Sequence, residues 1–204
     1  MSTGSRRVVL IQGGKQGSGV RLGGTNSHYV LTCAHVIGSS GLPKVDGKQC
    51  KRVVDKTSEK DVDLALLETE PPEGWPVAEA EWLEEVAPDA ALRVEGFPGG
   101  KYDHVRCSSR ATALERIEVS FAAHPGMSGG AAALADDPFA LAGLVKRGGD
   151  GVVYSELISA RVIRDFLRTL GVQLKMRGGE ESRNVAEYLR LLRESELGSS
   201  TRGC

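Results

Sequence analysis

Three residues of complementary chemistry stand in a fixed order along the chain: His35 in Thr32-Cys33-Ala34-His35, Asp63 at the head of Leu64-Ala65-Leu66-Leu67, and Ser128 in Gly126-Met127-Ser128-Gly129-Gly130. A serine hydroxyl is a poor nucleophile at neutral pH, so acyl transfer needs a histidine to take its proton and a carboxylate to hold that histidine's tautomer. The trio supplies these parts, with Ser128 as nucleophile, His35 as general base and then general acid, and Asp63 as the orienting carboxylate. The order discriminates. Gly-x-Ser-x-Gly is also the nucleophile elbow of α/β-hydrolases, where the histidine follows the serine. Here His28, His35, His104 and His124 all precede Ser128, which leaves an elbow of that kind without a base.

The elements that must position these residues are short. Val8 to Ile11, Gly19 to Leu22, Tyr29 to Thr32, Gln49 to Val54 and Leu64 to Leu67 are apolar or alternating runs separated by Gly, Ser, Asn and Asp, and predict a first set of strands ending near residue 70. Pro71-Pro72-Glu73-Gly74-Trp75-Pro76 and the acidic stretch to Pro88 read as a linker. A second set follows at Ala91 to Glu95, Val105 to Thr112, Ile117 to Phe121, Gly130 to Leu134, Leu141 to Val145 and Val152 to Glu156. The count fits an all-β fold of two antiparallel six-stranded barrels, which leaves no exposed sheet edge. Ser159 to Leu170 changes to helical spacing, with Ser159 as N-cap and Gly171 as stop. Residues 181 to 197 form a further candidate helix with Val185, Tyr188, Leu189 and Leu192 on one face, read as a stripe packed on the second barrel or as a docking surface for a regulatory protein. The chain thus divides into a domain over 1–174 (barrel one to about 85, barrel two about 86–158, helix 159–170) and a helical extension or linker over 175–204.

Composition narrows the function. Twenty-six glycines among 204 residues favour a turn-rich β protein. Twenty-six basic against 27 acidic residues give a formal charge of −1, which implies no general affinity for nucleic acid or an anionic membrane. The apolar run Val8-Val9-Leu10-Ile11 is too short for a signal-peptide core, and no stretch approaches a membrane span, so a cytoplasmic protein is expected. In that compartment Cys33, Cys50, Cys107 and Cys204 are expected as thiols. A zinc site on Cys33 and His35 lacks a C-x-x-C or H-x-x-x-H partner pair, and neither metal nor cofactor is expected. Gly14-Lys15-Gln16-Gly17-Ser18-Gly19 lacks the Gly-Lys-Ser/Thr ending of a phosphate loop and reads as a turn.

Thr32-x-Ala34-His35, Asp63-Leu64-Ala65-Leu66 and Pro125-Gly126-Met127-Ser128-Gly129-Gly130 together resemble the signature blocks of chymotrypsin-like (trypsin-like) serine proteases over about residues 8 to 170. Gly17-Ser18-Gly19 and Gly96-Phe97-Pro98-Gly99 are similar in style to bacterial trypsin-like and HtrA-type catalytic domains, although no PDZ-like segment follows. The resemblance implies endopeptidase activity through an acyl-enzyme and an oxyanion hole made by the amides of Gly126 and Ser128. It prefers Asp63 over the competing Asp61, because the Leu-Ala-Leu block follows Asp63 directly. It places Ala122, where trypsins carry an acid, at the base of the specificity pocket, Val152 on its wall, and Val145 and Lys146 in the strand that pairs with substrate, with His124 on the cleft rim. Small or aliphatic side chains before the scissile bond are then expected, not Lys or Arg. The acid against which trypsinogen seats its new N-terminus is replaced by Met127, so another switch is expected, and ordering of the oxyanion loop by a partner is the one anticipated. Signal-less domains of this kind with short C-terminal extensions resemble effector proteases of bacterial defence systems. Two other readings stay open: a silent binding module that keeps the fold and its cleft, and an esterase on the same fold.

Overall fold

Strands of five or six residues are what short apolar runs between Gly, Asn and Asp can form, and they dominate the computed structural model, which describes residues 7–39, 41–58, 62–71, 77–113, 115–147 and 154–178. In the first half, β1 (Val8–Gln12), β2 (Gln16–Arg21), β3 (Tyr29–Cys33), β4 (Lys44–Val45), β5 (Lys48–Gln49), β6 (Arg52–Lys56) and β7 (Leu64–Glu68) join in the order β5-β4-β1-β2-β3-β7-β6. A single helical turn, α1 (Ala34–Ile37), follows β3 directly. β3 and β7 run antiparallel with Cys33 opposite Leu64. The residue after Cys33 and the residue before Leu64 therefore leave the sheet at the same edge, which brings the Ala34-His35 and Asp63 segments together across 28 positions of sequence.

The second half begins with β8 (Glu81–Leu83). β9 (Ala91–Gly96), β10 (Asp103–Thr112), β11 (Arg116–Val119), β12 (Ala131–Leu134), β13 (Ala140–Arg147) and β14 (Ser155–Ser159) then form a barrel that runs β12-β9-β10-β11-β14-β13 and closes through a β12–β13 pairing. Its filling includes Leu92, Val94, Ile117, Val119, Met127, Ala132, Ala142, Val145 and Leu157. α2 (Ala160–Thr169) starts at Ser159, whose hydroxyl accepts from the Val162 amide at 3.4 Å, and buries Ile163 and Leu167 before Gly171 (φ 74°) ends it. β15 (Lys175–Arg177) lies parallel to β8, which lies parallel to β13.

The all-β, two-barrel expectation holds, as one closed six-strand barrel and a half-barrel: the first sheet has seven strands, two of them only two residues long, and β5 and β6 remain its edges. Two expected boundaries shift. Glu81–Leu83, expected within a linker at the end of barrel one, is a strand of the second sheet, and Lys175–Arg177, expected to open the extension, is its outermost strand. The last strand of the barrel falls at Ser155–Ser159 and not Val152 to Glu156. The candidate helix over 181–197 lies outside the described residues.

Candidate active site

Asp63 is where the site is tightest. It adopts φ 60°, a left-handed conformation that Asp tolerates better than most residues, and is 2% exposed. Its carbonyl accepts from the Ala34 amide at 3.1 Å. One carboxylate oxygen accepts from the His35 amide at 3.0 Å, and the other lies 2.7 Å from His35 Nδ1. Backbone and ring of the histidine are therefore gripped by one carboxylate. With Nδ1 held as the N–H donor, Nε2 is left with its lone pair, the tautomer a proton acceptor needs. Asp61, the competing carboxylate, lies outside the described residues.

The Ser128 loop is fastened to both sheets. The Ser18 amide of β2 donates to the Ser128 carbonyl at 2.8 Å, and the Gly129 amide donates to the Val145 carbonyl of β13 at 2.7 Å. That carbonyl also accepts from Cys33 Sγ at 3.2 Å, so the strand that leads to His35 and the loop that carries Ser128 share an anchor. Gly126 (φ 99°) and Gly129 (φ 83°) are required here: a Cβ on Gly126 would run into the Phe97 carbonyl, and one on Gly129 into the Ser18 carbonyl. Among the described residues the amides of Gly126 and Ser128 donate to no protein group, while those of Met127, Gly129 and Gly130 do. Two unengaged N–H groups, one on each side of the Met127 amide, at a half-buried serine can stabilise an anion. No hydrogen bond joins Ser128 Oγ to His35 among the described residues, so histidine and carboxylate are paired and the serine is not yet engaged.

Of the expected pocket residues, Val145 and His124 are tied by their carbonyls to the Ser128 loop. Ala122 is exposed, Val145 is buried, Lys146 is half-buried, and His124 is exposed with its carbonyl accepting from the Met127 amide at 3.0 Å. Val152 lies outside the described residues. Two positioning residues escaped the sequence reading. Ser155 Oγ, buried, accepts from the Ala123 amide at 2.7 Å and donates to the Phe121 carbonyl at 2.8 Å, which shapes the Phe121–Ala123 segment. Ser18 does comparable work on the Gly126 turn. Only the Gly-Ser-Gly context of Ser18 offered a signal.

Cys33, His35 and Asp63 place one potential metal-ligand atom each within 4.8 Å of one another. Each is already engaged: the thiol by Val145, the ring nitrogen and the carboxylate by one another. Burial, reinforced by the Asp63 charge, holds the Cys33 thiol well above its usual range, so it stays protonated as a donor. Cys33, Cys50 and Cys107 are free thiols.

A model of the trypsin-like peptidase domain matches residues 17–138, more than half of the 204-residue chain. Among solved structures, the Rv3671c protease in its inactive form is similar at 20% identity and TM-score 0.66, over 81% of this chain and 89% of that one. The Ser343Ala mutant of Rv3671c from M. tuberculosis H37Rv, also inactive, gives 20% and 0.67 over 81% and 86%. The serine endoprotease from Yersinia pestis gives 18% and 0.66, over 80% of this chain and 62% of that one. At these identities the likeness is one of fold. No curated protein matches.

Proposed function

Since the chain belongs to the trypsin-like peptidase domain family, we propose that it is a serine endopeptidase with His35, Asp63 and Ser128 as its triad. Ser128 Oγ attacks the scissile carbonyl while His35 Nε2 takes the hydroxyl proton, and Asp63 stabilises the resulting imidazolium. The amides of Gly126 and Ser128 receive the developing oxyanion, each worth about 10²–10³ in rate for such donors. His35 then protonates the leaving amine, and water, activated by the same imidazole, hydrolyses the acyl-enzyme. The observation that carries this reading is the double grip of Asp63 on His35, at 2.7 Å to the ring and 3.0 Å to the amide.

Fluorophosphonate labelling of the purified chain tests it. Covalent labelling of wild type, lost in both Ser128→Ala and His35→Ala, is expected; labelling that survives Ser128→Ala refutes the assignment.

The serine not bonded to His35 supports a resting enzyme that a protein partner completes, through the 181–197 segment in our reading. It equally favours the second reading, a silent module that binds peptides in the same cleft. Labelling that appears only with a partner or at high probe concentration separates the two. The uncharged Ala122, which the family resemblance sets at the base of the specificity pocket, supports cleavage after small or aliphatic residues, and a peptide-library profile dominated by Arg or Lys would refute that. The free thiols support a reducing compartment, the cytoplasm, where a role as a bacterial defence effector would need such restraint.

A further inference from the structure

Ser18 is fully buried, and its polar groups tie three segments together, the Gly126–Gly130 loop, the strand leading to His35 and the Phe97 turn. Its amide donates to the Ser128 carbonyl at 2.8 Å. Its carbonyl accepts from Thr32 Oγ1, on the strand leading to His35, at 2.6 Å. Its hydroxyl accepts from the Phe97 amide at 2.9 Å and donates to the Gly126 carbonyl at 2.7 Å. A hydroxyl has one proton to give, and here it goes to the turn that precedes the nucleophile.

The place of that last bond matters. The Gly126 carbonyl belongs to the Gly126–Met127 peptide, which lies between the two peptide units whose N–H groups make the proposed oxyanion hole. Its other end is fixed by the Met127 amide on the His124 carbonyl. A peptide group is a rigid plane, so anchoring its carbonyl and its N–H sets the directions of the planes on either side. Met127 is buried and apolar and offers this turn no charge, while the Phe97 carbonyl packs against Gly126 where a Cβ would stand. Among the described residues, Ser18 is the donor to the Gly126 carbonyl.

We infer that Ser18 is the positioning residue of the oxyanion hole: its hydroxyl, held by the Phe97 amide, orients the Gly126–Met127 peptide so that the Gly126 and Ser128 amides point at one site. The inference rests on the endopeptidase reading for its catalytic consequence and on geometry alone for the orientation.

The test compares wild type with Ser18→Ala and Ser18→Cys in the full chain. In Ser18→Ala, kcat is expected to fall about tenfold to a hundredfold, short of the loss of a whole donor. KM should change by less than about threefold, and inhibition by a peptide boronate, which forms a tetrahedral adduct, should weaken by the same factor as kcat. Ser18→Cys, which keeps a weak donor and acceptor, should recover part of both and serves if Ser18→Ala does not fold. A kcat and boronate affinity within about twofold of wild type, or a loss confined to melting temperature, overturns the assignment. Amide NMR decides orientation without turnover: the Gly126 and Ser128 resonances should broaden or split in Ser18→Ala, and unchanged resonances overturn the inference. Wild type inert to substrates and unlabelled even at high probe concentration would instead overturn the endopeptidase reading, while the amide result would still decide the role of Ser18.

Discussion

Asp63 holds the Ala34-His35 segment through three separate acceptors, two of them on the histidine, and its substitution isolates the one that matters for chemistry. Asn in its place retains the carbonyl contact to Ala34 and an oxygen for the His35 amide, but turns an N–H₂ toward Nδ1 and so favours the wrong tautomer. For Asp63→Asn, kcat is expected to fall about 10⁴-fold, as in other triads, with little change in melting temperature. Fluorophosphonate labelling rate and calorimetry check the two halves of that statement. Cys107 offers a second test at this scale. Burial pushes its thiol up to about 11, against 9.0 for the group in water, so at pH 8 its thiolate fraction is about a hundredfold smaller. Peptide-resolved alkylation by iodoacetamide should be slow at Cys107 and rise about tenfold per pH unit up to about pH 11. Below the unfolded value both states keep the proton, and between the two values only the folded state does, so the contribution of Cys107 to stability is lost as pH rises through that window.

Elements hold the site through their ends. β3 and β7 deliver His35 and Asp63 at one sheet edge, and the loop between Gly126 and Gly130 delivers Ser128 only because two glycines adopt positive φ against neighbouring carbonyls. Gly129→Ala places a methyl group against the Ser18 carbonyl and should destabilise the fold by about 2 kcal/mol or more, read as a lower denaturation midpoint. Ser159→Ala removes the cap of α2, a long bond at 3.4 Å, and should cost about 0.5–1 kcal/mol while labelling of Ser128 stays unchanged. The main strands were legible because their apolar runs are bounded by turn residues. The β4–β5 hairpin carries its own signal, Asp46-Gly47 at φ 49° and 81°, which the reading of Gln49 to Val54 as one strand passed over. β8 and β15 have no comparable periodicity. The three-residue run of β8 gains strand geometry from β13 alongside, and that of β15 from β8, which sequence patterning does not register.

Across the whole molecule, polar ties bind the first sheet to segments of the second half of the chain. Arg7, at the start of β1, donates to the Pro138 carbonyl at 3.0 Å and to the Ala78 carbonyl at 3.3 Å, with its guanidinium 5.0 Å from the Phe139 ring centre. Burial lowers its pKa, opposed in part by Glu95, yet it remains a cation at any physiological pH. Arg7→Ala should remove about 1 kcal/mol, a fall in melting temperature of about 2–4 °C for a chain of this size, measurable by calorimetry. Ser18 makes a corresponding tie where β2 meets the Phe97 and Gly126 turns. None of the described helices is long and apolar enough to cross a membrane.

What the sequence determined by itself was the chemistry and its order: a histidine, a carboxylate and a serine, each in a short block whose neighbours demand a strand or a tight turn. Local residue types suffice for that, because strand periodicity, glycine at a strained turn and the need of a nucleophile for a base are all near-neighbour facts. The tertiary structure decided what depends on partners remote in sequence. It selected how Asp63 grips His35 through the β3–β7 register, left Ser128 unbonded to His35, and recruited Ser18 and Ser155 as buried braces for turns more than a hundred and about thirty residues away, respectively. A serine hydroxyl acquires such a role from whichever carbonyl and amide the fold sets within 3 Å of it, and no run of neighbouring residues specifies that.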